Sequence, residues 1–139
     1  MKKLLLMASS VLLTLSCGTS DDSSSNNSNN NSSSKITPPA WIQGTWVRED
    51  VSSIGYTLSS DDICNFVSGT TFCQKEYINL YKDKDVAINV AQSISDTEYK
   101  CSITVSMQTA TYHFQKLSPT TIKILQEPGG ISGNILKKQ

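Results

Sequence analysis

One histidine, His113, and one arginine, Arg48, are all that this chain of 139 residues contains of either type. A single imidazole leaves little for a zinc site or a Ser-His-Asp set. A single guanidinium is a poor basis for a phosphate or polyanion clamp. No Gly-rich phosphate loop, C-x-x-C pair or G-x-S-x-G elbow is present. Net charge is zero at pH 7, and since Lys2, Lys3, Asp21 and Asp22 lie ahead of residue 35, the remainder carries ten groups of each sign. With no run of one sign, neither a nucleic-acid footprint nor a polybasic membrane patch is expected. No apolar run reaches the roughly 20 residues that span a bilayer. The residues therefore predict no enzyme, no metal and no cofactor.

The first 34 residues have a clear organisation. Met1-Lys2-Lys3 is a short basic start, Leu4 to Leu15 is an apolar core, and Ser16 is a small residue ahead of Cys17. Those are the parts of an export signal. Apolar residues, a small residue and then cysteine resemble a bacterial lipobox, with Thr14 where leucine is usual. The resemblance implies cleavage after residue 16, lipidation of Cys17 and attachment to a membrane. Several acyl chains together hold firmly where one would not. Gly18 to Ser34 has no apolar side chain, and Ser23 to Ser34 is only Ser and Asn. Such a segment cannot offset its ordering entropy and is predicted to be disordered. Seventeen residues of this kind span about 20–25 Å, enough to lift a small domain clear of lipid. Ser20-Asp21-Asp22 resembles the acidic surface-export signal of Bacteroidetes lipoproteins, which implies the outer membrane and its outward face.

This divides the chain into a signal peptide over 1–16, a lipidated cysteine with tether over 17–37, and a domain over 38–139. The domain is long enough for one modest core. Pro38 to Ile42 predicts a turn packed on its base, and Gly44 to Arg48, Ile54 to Leu58 and Ile63 to Val67 read as strands. From Thr71, an apolar spacing through Cys73, Tyr77, Leu80 and Tyr81 predicts a helix over about 72–82, with Thr71 and Gln74 as a capping box. The period then becomes two. Val86 to Ile94 and Tyr99 to Val105 read as half-buried strands, and Ala110 to Leu117 and Ile122 to Gln126 as a further hairpin. Ile131 to Leu136 is a short final strand. Meandering antiparallel strands with one helix predict a mostly β domain, a small barrel or half-barrel.

An exported domain permits disulfides. Cys64 and Cys73 bracket a short loop and are the expected pair, with Cys101 on an apolar strand face as a small buried residue. Strand parity sets His113 opposite Tyr112 and Phe114, so it is no partner for a thiol. Asp61 and Asp62 read as turn chemistry, and Glu76, Asp83 and Asp85 as a solvated helix without the calcium-loop pattern. Trp46, Tyr56, Tyr99, Tyr112 and Phe114 point inward, as core or as the lining of a ligand pocket.

Gly44-Thr45-Trp46, preceded by Trp41-Ile42-Gln43, resembles the Gly-x-Trp signature of lipocalins. Thr111 to Ser118 is similar to the Tyr-x-Phe strand of small lipocalin-like lipoproteins of the Bacteroidetes type. The resemblance implies a barrel entered at the glycine and plugged by the tryptophan. Lipocalins carry a late arginine stacked on that tryptophan, and none follows Arg48. The functional expectation is a lipid-anchored envelope protein whose β domain is an interaction or accessory module for an outer-membrane protein. The alternative is carriage of a small apolar ligand inside the barrel.

Overall fold

The computed structural model describes residues 31–33, 35–130 and 132–139. The signal peptide, Cys17 and the Ser/Asn run to residue 30 lie outside the described residues. The chain runs β1 Asn31–Ser33, a 3-10 turn at Ala40–Ile42, β2 Gly44–Arg48, β3 Ile54–Leu58, β4 Ile63–Val67 and β5 Thr70–Cys73. Helix α1 Gln74–Tyr81 follows, then β6 Ile88–Ile94, β7 Glu98–Val105, β8 Gln108–Ser118, β9 Thr121–Gln126 and β10 Ile135–Lys138.

All ten strands form one antiparallel sheet in the order β1-β6-β7-β8-β9-β10-β2-β3-β4-β5. Two meanders, β2–β5 and β6–β10, are stitched together where β10 pairs with β2. The two ends, β1 and β5, do not pair with each other, so the sheet is an open half-barrel. The protein is mostly β with a single α-helix among the described residues.

Strand alternation decides the core. Along β7, Tyr99, Cys101, Ile103 and Val105 are buried, and β8 and β9 add Tyr112, Phe114, Ile122 and Ile124. The opposite faces carry hydroxyls that meet across strands, as at Ser102–Thr111 (3.0 Å) and Thr104–Thr109 (2.9 Å). Each such pair contributes about 0.2–1 kcal/mol to the sheet. Gly55 marks a close approach, since a Cβ there would lie 2.1 Å from the Trp46 carbonyl oxygen and 2.6 Å from Phe66 Cζ.

Four sequence expectations shift. The helix begins at Gln74, and Thr71 to Cys73 belong to β5. Pairing of β5 with β4 holds that turn of chain extended, and Cys73 stands opposite Cys64 in the register. The Thr71 capping box is therefore absent; Asp62 Oδ1 accepts the Lys75 N–H at 2.8 Å and caps the helix from the β3–β4 turn. The final strand starts at Ile135, after a glycine-rich loop. In β6, Ile94 is exposed and Gln92 is buried.

That glutamine explains the fourth shift. Residues 31–33 and 35–37, expected in the tether, lie on the domain. β1 pairs with β6, and Ile36 joins the core at 3% exposure. Gln92 Oε1 accepts the Thr37 N–H (2.8 Å) and the Tyr99 hydroxyl (2.8 Å), while Nε2 donates to the Lys35 carbonyl (3.0 Å). A buried amide with every group satisfied is a rigid clamp. It pins the incoming chain to β6 and β7.

Candidate functional site

The base of the half-barrel is built around Trp46. Its indole N–H donates to the Ile42 carbonyl at 2.6 Å, which ties the 3-10 turn beneath the ring. Over the ring, Lys138 Nζ lies 5.2 Å from the centroid. Gly44 has φ +128°, and a Cβ at this position would stand 2.8 Å from Lys138 Cε. A lysine on the last strand thus lies over the tryptophan ring. The paired strands explain it, because Lys138 is the register partner of Trp46.

The five aromatic residues expected to line a pocket fall into two groups. Trp46, Tyr99 and Phe114 are completely buried and fill the interior. Tyr56 packs edge-on against Tyr112 (6.2 Å) and Phe114 (5.3 Å) and donates its hydroxyl to Glu127 Oε2. Burial first, and then the Glu127 hydrogen bond, push the Tyr56 phenol upward. Of the five, Tyr112 lines a groove.

That groove of about 860 Å³ lies at the open side of the half-barrel, between β5 with α1 and the β7–β8 end. Its volume falls within the roughly 300–1,000 Å³ of ligand pockets. The β4–β5 hairpin and α1 supply Phe72, Tyr77 and Leu80, and β8 supplies Gln108 and Tyr112. Phe72 and Leu80 are 57% and 60% exposed. The Glu127–Gly130 turn closes one end, with the Gly130 N–H donating to the Glu127 carbonyl at 3.2 Å. A smaller hollow of about 460 Å³ lies behind α1, between Ile78 and Ile88.

The wall of the groove is fixed covalently. Cys64 and Cys73 are joined in a disulfide that ties β4 to the start of α1. Asp62, Cys64 and Cys73 place an oxygen and two sulfurs within 4.8 Å of one another. Both sulfurs belong to the disulfide, so that cluster offers no thiolate to a metal. Asp61, beside it, is held below the usual carboxylate range by the Lys75 ammonium and by Ser59.

Other reactive types are structural. Cys101 is fully buried, and burial pushes its thiol up to about 11. His113 Nε2 meets Glu98 Oε2 at 3.1 Å on the sheet's other face. Arg48 forks onto Asp50 (3.0 and 2.9 Å) and donates to Asn134 Oδ1 at 3.1 Å, so it braces the loop before β10.

Sequence reasoning missed Gln92, Asp62 as a cap, Lys138 and the exposed Phe72. Only Asp62 leaves a local signal, its place in the polar Ser59-Ser60-Asp61-Asp62 turn, and its Oδ1 also accepts the Ile63 N–H at 2.8 Å. The other three depend on register between distant strands. No family model, curated protein or solved structure matches the chain.

Proposed function

We propose that this is a lipid-anchored cell-envelope protein of lipocalin-like type, held at the outer membrane by acylated Cys17, whose half-barrel recognises its partner at the surface. The observation that carries the reading is the filled interior. Trp46, Tyr99, Phe114, Ile122 and Ile124 have no exposure, so the centre holds side chains and not a chamber. Contact with a partner then falls to the open groove, where large apolar side chains already face water. The module is non-enzymatic in this reading: a buried, protonated Cys101 and a paired His113 on the opposite face do not form a nucleophile–base pair.

Carriage of a small apolar ligand is the second reading, favoured by exposed Phe72 and Leu80. It places the ligand at the groove mouth and not deep among the tyrosines.

Purification of the full-length protein from its own membranes in mild detergent, followed by native mass spectrometry, tests the reading. A co-purifying partner or ligand, lost when Phe72 and Leu80 are both changed to Asp, is expected. A ligand retained by that variant, or free solubility of the unaltered protein without detergent, contradicts it.

A further inference from the structure

The groove has a chemical character beyond being open. None of its described lining residues is cationic, and Glu76 is its one charged side chain. An anionic ligand finds no counter-charge there and meets a carboxylate. Gln74, Gln108 and Glu76 line the same groove as Phe72, Tyr77 and Tyr112. A fatty chain laid across it strips water from two amides and a carboxylate without replacing their hydrogen bonds.

Tyr112 adds an independent observation. The residue is 3% exposed, and its hydroxyl has no hydrogen-bond partner among the described residues. Nor is that oxygen sealed in: the fully enclosed side-chain polar atom left unpaired among the described residues is Asn134 Nδ2. Tyr112 lines the groove, and a buried phenol with no protein partner is a hydrogen-bonding group open to a ligand.

We propose that the groove binds a neutral carbohydrate, with Phe72 and Tyr77 as its stacking surface and the Tyr112 hydroxyl as the hydrogen-bonding group on its floor. This rests on the reading that the domain recognises its partner at the surface. A sugar ring presents an apolar face of C–H groups and a rim of hydroxyls. The C–H face suits the negative face of an aromatic ring. The rim supplies donors and acceptors together, which amides, a phenol and a carboxylate can all use. An extended peptide is less well served, because β5 is four residues long and passes straight into α1. So short an edge offers little ladder for an added strand.

The test is calorimetric titration of the full-length protein in detergent with maltohexaose, cellohexaose, xylohexaose and mannohexaose, and with an oligogalacturonate and oleate as contrasts. At least one neutral sugar is expected to bind with a dissociation constant of about 1 mM or tighter. Tyr112→Phe keeps the ring in the core and is expected to weaken that binding about fivefold. Phe72→Ala alters an exposed residue and is expected to weaken it about tenfold. Unchanged thermal unfolding in both variants ties the losses to the groove. Binding of none of the four neutral sugars, or binding indifferent to both substitutions, overturns the proposal. If no sugar binds but a protein partner is lost with Phe72→Ala, the carbohydrate inference fails and surface recognition stands. If oleate alone binds, the proposal fails in favour of apolar carriage.

Discussion

Lys138 Nζ lies 5.2 Å above the Trp46 ring, and Gly44 leaves the space for its stem to cross. The pair joins the last strand, β10, to β2 and covers the base of the core. A cation over an indole contributes about 0.5–1 kcal/mol at an exposed site. Lys138→Ala is expected to lower stability by about 1 kcal/mol, and Lys138→Arg to preserve it. Gly44→Ala places a side chain at a backbone conformation that favours glycine and against Lys138 Cε, with a cost of about 2–3 kcal/mol. Urea unfolding of the three variants checks this; no change in Lys138→Ala contradicts the role given to the pair.

Gln92 is the second point where distant chain is held. Gln92→Leu leaves the Tyr99 hydroxyl, the Thr37 N–H and the Lys35 carbonyl without their buried partner. About 2–4 kcal/mol of destabilisation is expected. Residues 35–37 are expected to become accessible to protease before the rest of the domain. Equal protease resistance of variant and parent contradicts the clamp.

The disulfide closes a loop with a sequence separation of 9. In the chain-entropy picture, this contributes about 2.5 kcal/mol. Changing both Cys64 and Cys73 to Ser is expected to lose about that much. Asp62→Ala removes the cap of α1 and is expected to cost about 1 kcal/mol. Urea midpoints measure both. Because the cap and the disulfide hold the same helix end, the triple variant is expected to lose less than their sum.

Alkali should act through Cys101. Its thiol rises from 9.0 to about 11 on burial. Below pH 9 the thiol is protonated in both states, and stability is unaffected. Between about 9 and 11 the unfolded chain releases the proton while the folded one keeps it, so stability falls as pH rises. The buried phenols of Tyr56, Tyr99 and Tyr112, also raised, add to the fall above pH 10. Cys101→Ala is expected to reduce the loss between pH 9 and 11 by about 1–3 kcal/mol. An unchanged pH profile contradicts this assignment.

Much of the architecture is readable from periodicity. The Tyr99 to Val105 alternation is strict because one face of β7 is buried along its whole length. The three early strands, Gly44–Arg48, Ile54–Leu58 and Ile63–Val67, fall where expected. What escapes local reading is set by pairing at a distance. Thr71 to Cys73 have helical spacing, yet β4 and the disulfide hold them extended. Gln92 is polar and therefore counts against an inward position until Tyr99, Thr37 and Lys35 are known to meet it. Lys138 becomes the partner of Trp46 only through the β10–β2 register. The groove was similarly hidden, since Phe72 looks like a core residue by type and stands exposed by position.

Attachment of this half-barrel through Cys17 is the proposal on which its envelope role rests. Metabolic labelling with radioactive palmitate, combined with membrane fractionation, compares the parent protein and Cys17→Ala in the same cells. Acyl label on the parent, its absence from the variant and release of the variant from membranes are the predicted results. A variant that stays in the membrane fraction, or a parent that takes up no label, contradicts the claim.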